Sequence, residues 1–109
     1  MSDEYKAEYH VEAKISFLPT EDGGRKGSVQ SQYMPQFRYD GKDWDARHYY
    51  PENEVINPGE SVKTLLSFLT PENHVGKLAV GMNFEIAEGA RVVAKGVITK
   101  LLDLNKYQT

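Results

Sequence analysis

The chain has no cysteine among its 109 residues. Disulfides and thiol chemistry are thereby excluded, and so is any zinc site that needs thiolates. No stretch approaches the roughly 18 consecutive apolar residues of a membrane-spanning helix, so no membrane association of that kind is expected. The opening M-S-D-E-Y-K-A-E-Y-H has no apolar centre and carries acids, so it does not read as a signal peptide. Cytoplasmic location follows as the default. An excess of positive charge is missing too. With 13 Lys+Arg against 16 Asp+Glu the formal net charge is −3, which supplies no general pull on nucleic-acid phosphates. A local basic patch remains compatible with that balance.

Helical periodicity is also lacking. No segment repeats its apolar residues at a 3.6 period, whereas alternation at period 2 recurs along the chain. Val11, Ala13, Ile15 and Phe17 alternate with polar neighbours and predict a half-buried strand, stopped by Pro19 and the loop that follows. Tyr33, Phe37 and Tyr39 share a parity in a β-prone stretch whose Pro35 needs a bulge or an edge, since it has no N–H to donate. A turn at Asp40-Gly41-Lys42-Asp43 leads into a short strand over Trp44 to Tyr50. Val62, Thr64, Leu66 and Phe68 face one way in the next strand. Leu65 and Leu69 on its other face suggest cover on both sides.

The most strongly patterned stretch is Gly81 to Leu102. Met82, Phe84 and Ile86 alternate before a tight turn at Glu88-Gly89-Ala90, and a β-branched run from Arg91 follows. This is a hairpin, with Gly89 supplying the positive φ of the turn and Gly96 marking a bulge or bend. Roughly five or six strands between Gly/Pro/Asn turns make an all-β barrel or sandwich. The chain is long enough for one core and too short for two. Residues 1–109 therefore form a single domain, with the β region over about residues 9–104 and polar tails on either side.

Four stretches, in order, are similar to the third, C-terminal domain of elongation factor Tu. E-D-G-G-R at Glu21 to Arg25 resembles the family's E-x-G-G-R loop. Y-M-P-Q-F at Tyr33 to Phe37 resembles Y-R-P-Q-F. V-I-N-P-G-E at Val55 to Glu60 resembles V-M-P-G-D. F-E-I-A-E-G-A-R-V-V-A-K-G-V at Phe84 to Val97 resembles F-A-I-R-E-G-G-R-T-V-G-A-G-V. The resemblance implies a six-stranded antiparallel β-barrel acting as a stand-alone domain, and a non-enzymatic binding module linked to translation. In the family this domain contacts the T arm of aminoacyl-tRNA, packs on the nucleotide-binding domain and receives the exchange factor. The residues that match the RNA- or partner-binding positions are Arg25, Glu88, Gly89 and Arg91. Three basic family positions carry Met34, Ala87 and Thr70 here, which weakens phosphate contacts, while Lys26 and Lys95 compensate in part. A protein partner is therefore the leading expectation and tRNA or RNA the alternative.

Other candidate sites are few. Gly23-Gly24-Arg25-Lys26-Gly27-Ser28 lacks the order and the following helix of a phosphate-binding loop, and reads as a flexible loop with basic tips. No nucleotide-binding domain is present, so this chain alone is expected neither to bind nor to hydrolyse GTP. His10, His48 and His74 are scattered without regularly spaced carboxylates. They read as solvated or strand-face residues, with no catalytic residue, metal or cofactor expected. The stretch Asp43 to Tyr50 is the least family-like and is rich in interface-anchoring types. It offers Trp44, Arg47, Tyr49 and Tyr50 as a possible protein interface; the alternative is that Trp44 and one of the tyrosines plug the barrel, and for Trp44 the two readings weigh equally.

Overall fold

A computed structural model describes residues 8–104. Most of the polar amino-terminal tail and the last five positions of the polar carboxy-terminal tail lie outside the described residues. The chain forms six strands, β1 (Val11–Phe17), β2 (Gln36–Tyr39), β3 (Lys42–Tyr49), β4 (Ser61–Phe68), β5 (Asn83–Glu88) and β6 (Arg91–Leu101), with short 3₁₀ turns at Thr20–Asp22 and Pro71–Asn73. They close into an antiparallel barrel in the order β1-β4-β3-β2-β5-β6. The ring closes through β1, which pairs with β4 on one side and with β6 on the other. The all-β fold and its strand number agree with the expectation from sequence.

Alternation placed the inward faces well. Val11, Ala13, Ile15 and Phe17 are buried on β1, and Val62, Thr64, Leu66 and Phe68 on β4. Phe37 is the centre of the core, stacked on Phe84 at 4.3 Å and edge-on to Phe68 at 5.0 Å. Pro35 sits immediately before β2, where its missing N–H costs no ladder bond. The outer face of β4 is not covered as expected. Leu65 is half-buried and Leu69 is 55 % exposed, so the described residues leave this face without a covering layer.

Two turns set the ends of the barrel. Asp40 (φ 52°) and Gly41 (φ 73°) join β2 to β3 with positive φ at both central positions, the mark of a type I′ hairpin turn. Between β5 and β6, Glu88 already pairs with Arg91, so the turn is only Gly89-Ala90, with positive φ at Gly89 alone, as in type II′. Gly96 is not a bulge. The register shifts instead around Val93, which is extra between the pairs Ile86–Ala94 and Ala87–Val92, and again near Thr99 against β1. Gly96 faces Phe84, and a β-carbon there would overlap the end of that ring and lie 2.7 Å from its Cε1.

The histidines differ most from expectation. None is solvated: His10 is 2 % exposed, and His48 and His74 are fully enclosed. The Nδ1 of His48 shares a 2.9 Å hydrogen bond with the Tyr50 hydroxyl, and the Nδ1 of His74 a 2.6 Å bond with that of Tyr39. Imidazole is small and flat enough to pack as an aromatic once one nitrogen is satisfied. His74 does so between Trp44, at 4.7 Å, and Phe68, at 4.2 Å. The polar tail also contributes to the core, since Leu104 is 1 % exposed.

Candidate partner-binding end of the barrel

Antiparallel pairing brings the ends of β1, β5 and β6 together at one mouth of the barrel. The loop after β1 folds over this mouth in a compact path. The N–H groups of Asp22 and Gly24 both donate to the Pro19 carbonyl, at 2.9 and 3.0 Å. Gly24 approaches the β1 end so closely that a β-carbon would overlap the Leu18 carbonyl oxygen. The Thr20 hydroxyl donates to the Arg25 carbonyl at 2.5 Å, which fixes where Arg25 leaves the loop. Its guanidinium reaches Glu88, on the far side of the sequence but at the same mouth.

Glu88 is held from two directions. Arg25 donates to its Oε2, and the Tyr33 hydroxyl donates to the same oxygen at 2.5 Å. The guanidinium carbon also lies 5.2 Å from the centre of the Tyr33 ring, within cation–π range. Burial opposes the Arg25 charge, yet the hydrogen bond to Glu88 and its negative charge prevail and raise the Arg25 pKa. Burial, followed by the bond to Glu88, drives the Tyr33 hydroxyl well above its ordinary pKa and keeps it a donor. Tyr33 is itself positioned by the main chain. His48 donates its N–H to the Tyr33 carbonyl at 2.8 Å, and Gln32, at φ 86°, holds a left-handed backbone that favours glycine. Tyr33 was missed as a site residue, although it stands in the Y-M-P-Q-F stretch. What it contacts is 55 positions away in sequence.

The Gly89-Ala90 turn is braced as well. The Gly89 N–H donates to the Gln36 side-chain oxygen at 3.1 Å, and Arg38 donates to the Gly89 carbonyl at 3.0 Å. Arg38 also forms a two-pronged pair with Asp43, at 2.6 and 3.1 Å, which raises the Arg38 pKa and lowers that of Asp43. Across the outside of β3, β2, β5 and β6 the register lines up Asp43, Arg38, Glu85 and Lys95, alternating in sign. Glu85 and Lys95 stand opposite each other without forming an ion pair within 4.0 Å.

The sequence candidates therefore separate. Arg25, Glu88 and Gly89 meet at one mouth, and Arg91 joins them as the exposed strand partner of Glu88. Arg25 and Arg91 do not form a shared positive patch, because the charge of Arg25 is balanced by Glu88 rather than by Glu21 or Asp22. In the second group, Tyr50 is 3 % exposed and bonded to His48, so it is a core residue and cannot serve as an interface anchor. Trp44 is half-buried at the opposite mouth. Tyr49 is 36 % exposed and stacks on Tyr9 at 5.5 Å. Arg47, half-buried on β3, makes no ion pair within 4.0 Å among the described residues.

Among the described residues no group of three or more His, Asp or Glu is placed to hold a metal ion, and no helix is long and apolar enough to cross a membrane. The Arg25–Glu88 pair is partly solvated, so its coupling is small. A double-mutant cycle with Arg25→Ala and Glu88→Gln, read by urea denaturation, is expected to give about 1 kcal/mol. A six-stranded closed barrel, a compact E-D-G-G-R loop and a braced E-G-A-R turn at one mouth make up the architecture that a family model recognises over residues 4–102: the chain belongs to the elongation factor Tu C-terminal domain family.

Proposed function

We propose that this mouth of the barrel docks a protein partner linked to translation, with Arg91 and the rim around the Arg25–Glu88–Tyr33 cluster as the contact. The observation that carries the reading is the commitment of Arg25 to Glu88 and Tyr33. A continuous basic face joining Arg25, Lys26, Arg91 and Lys95 would suit a phosphate backbone. Here Arg25 is neutralised in place, and Arg91 and Lys95 each stand opposite an acid in the register. Loops with paired charges beside Arg91, which makes no ion pair within 4.0 Å among the described residues, suit a protein surface that supplies its own carboxylate, which arginine grips bidentately. The family's domain is non-catalytic, and the proposed role is binding alone.

The test is capture from lysate by the purified chain, in RNase-treated and untreated arms, with wild type and the Arg25→Ala/Arg91→Ala variant. The same proteins are expected in both arms and are expected to be lost with the variant, a weakening of about 1–3 kcal/mol for each charge-assisted contact removed. Capture abolished by RNase would point instead to tRNA or another RNA, the reading favoured by the exposed Lys26 and Arg91. Capture unchanged by the double substitution would move the contact to Trp44, Arg47 and Tyr49. Calorimetry with GTP at micromolar concentration is expected to show no saturable binding.

A further inference from the structure

The opposite mouth of the barrel carries a second surface, of different chemistry. Beside the Asp40-Gly41 turn lies a depression of about 200 Å³ lined by Tyr39, Asp40, Lys42, Trp44 and Lys77. Its aromatic wall is fixed from beneath. The buried Tyr39 shares its hydroxyl with His74 Nδ1 at 2.6 Å, and Trp44 stands edge-on to the same imidazole at 4.7 Å. The indole is only half-buried, so part of it faces solvent. Lys42 opens β3 directly opposite Tyr39, and Lys77 is tied to the floor by a 3.0 Å bond from its N–H to the His74 carbonyl.

What sets this place apart is two ammonium groups beside a half-exposed aromatic wall. Arg25 and Arg38 are each neutralised by a carboxylate, whereas neither Lys42 nor Lys77 has an ion-pair partner within 4.0 Å among the described residues. Against them the lining holds a single carboxylate, Asp40. The local sign is thus reversed on a protein of net charge −3. A flat aromatic surface flanked by uncompensated positive charge recognises an apolar group with a carboxylate next to it.

We propose that this depression is a second docking site, which takes an acidic segment of a protein partner. A carboxylate of the segment lies between Lys42 and Lys77, and an adjacent apolar side chain rests on Trp44. The volume accommodates one or two side chains, not a sugar–phosphate chain with its base. A nucleic-acid backbone passing over the site would meet Asp40 as well as the lysines, and the acidic net charge opposes it. The site lies away from the Arg25–Glu88 mouth and does not depend on the reading of that mouth.

Trp44 is the chain's one tryptophan, so its emission reports on the depression directly. The full chain is titrated with a capped peptide of alternating glutamate and leucine, with the lysine–leucine counterpart, and with oligouridine. A saturable change in emission is expected with the glutamate peptide alone. Lys42→Ala and Lys77→Ala, both at exposed positions that leave the fold intact, are each expected to raise the apparent Kd by about fivefold. Arg25→Ala is expected to leave it unchanged. The proposal is overturned by the absence of a saturable change, by indifference to both lysine substitutions, or by a lysine-dependent response to oligouridine at lower concentration than to the peptide.

Discussion

Acidification from pH 7.5 to pH 5 is expected to cost this barrel about 4 kcal/mol of folding stability. Burial holds the pKa of His48 down to about 3 and that of His74 down to about 4, against an ordinary 6.5. For His74 the nearby Lys77 and His10 add to the depression, while Glu72 opposes it. Both imidazoles stay neutral in the native state while both are protonated in the unfolded chain below pH 6.5. The unfolded state therefore binds two more protons, and stability falls with decreasing pH at about 2.7 kcal/mol per pH unit until the folded-state pKa values are reached. Stability from this source is complete above about pH 6.5 and is lost progressively from there down to the folded-state values of about 4 and about 3. For a domain whose total is on the order of 5–15 kcal/mol, such a loss is large. Urea denaturation at pH 7.5, 6 and 5 measures it. His48→Gln and His74→Gln each lower stability at neutral pH, and each is expected to remove about half of the slope. A wild-type stability that stays flat from pH 7.5 to 5 would falsify the account.

Gly96→Val is expected to destabilise the fold by about 3 kcal/mol, the upper end of the cost of overfilling a packed core. A β-carbon at this position already overlaps the Phe84 ring, and valine adds two methyl groups beyond it. The ring has little room to retreat, because it is 4 % exposed and stacked on the fully buried Phe37. Phe84→Ala alone creates a cavity at a cost of about 3–5 kcal/mol. Combined, the two substitutions are expected to cost less than their sum by at least about 1 kcal/mol, since the valine occupies space that the ring has left. Strict additivity in urea denaturation would mean that glycine at this position has another cause.

How far the sequence went depends on the range over which its signals act. Alternation at Val11 to Phe17 and at Met82 to Ile86 is a local property, and it identified both the strands and their inner faces. The turn residues were local as well, and Asp40-Gly41 and Gly89 fell where they were expected. Closure of the barrel rests on β1 pairing with β6 across nearly the whole chain, which no local pattern encodes. It was carried instead by the resemblance of four motifs. The Arg25–Glu88 contact spans 63 positions, a separation that no local pattern encodes. The histidines were misjudged for a related reason. Histidine belongs to no single burial class, and the tyrosine hydroxyl that permits burial of His74 lies 35 positions away. Tyr50 was offered as a surface anchor because the hot-spot residue types are also core residue types. Only its parity with His48, one residue past the end of β3, separates the two roles.

The closed ring of strands has a consequence for recognition. Every strand of the barrel has a hydrogen-bonded neighbour on both sides, so among the described residues no strand presents a wholly open edge as a template. The closed order leaves little room for a partner to add a strand of its own, the mode that many open sheets use to capture extended peptides with little regard for side chains. The same closure denies this chain the commonest route from exposed strands to aggregates. On the proposed reading, selectivity resides in side chains at the two mouths, where single substitutions alter a contact without disturbing a ladder. The barrel can thus exchange one partner for another by changing a few loop residues on an unaltered frame.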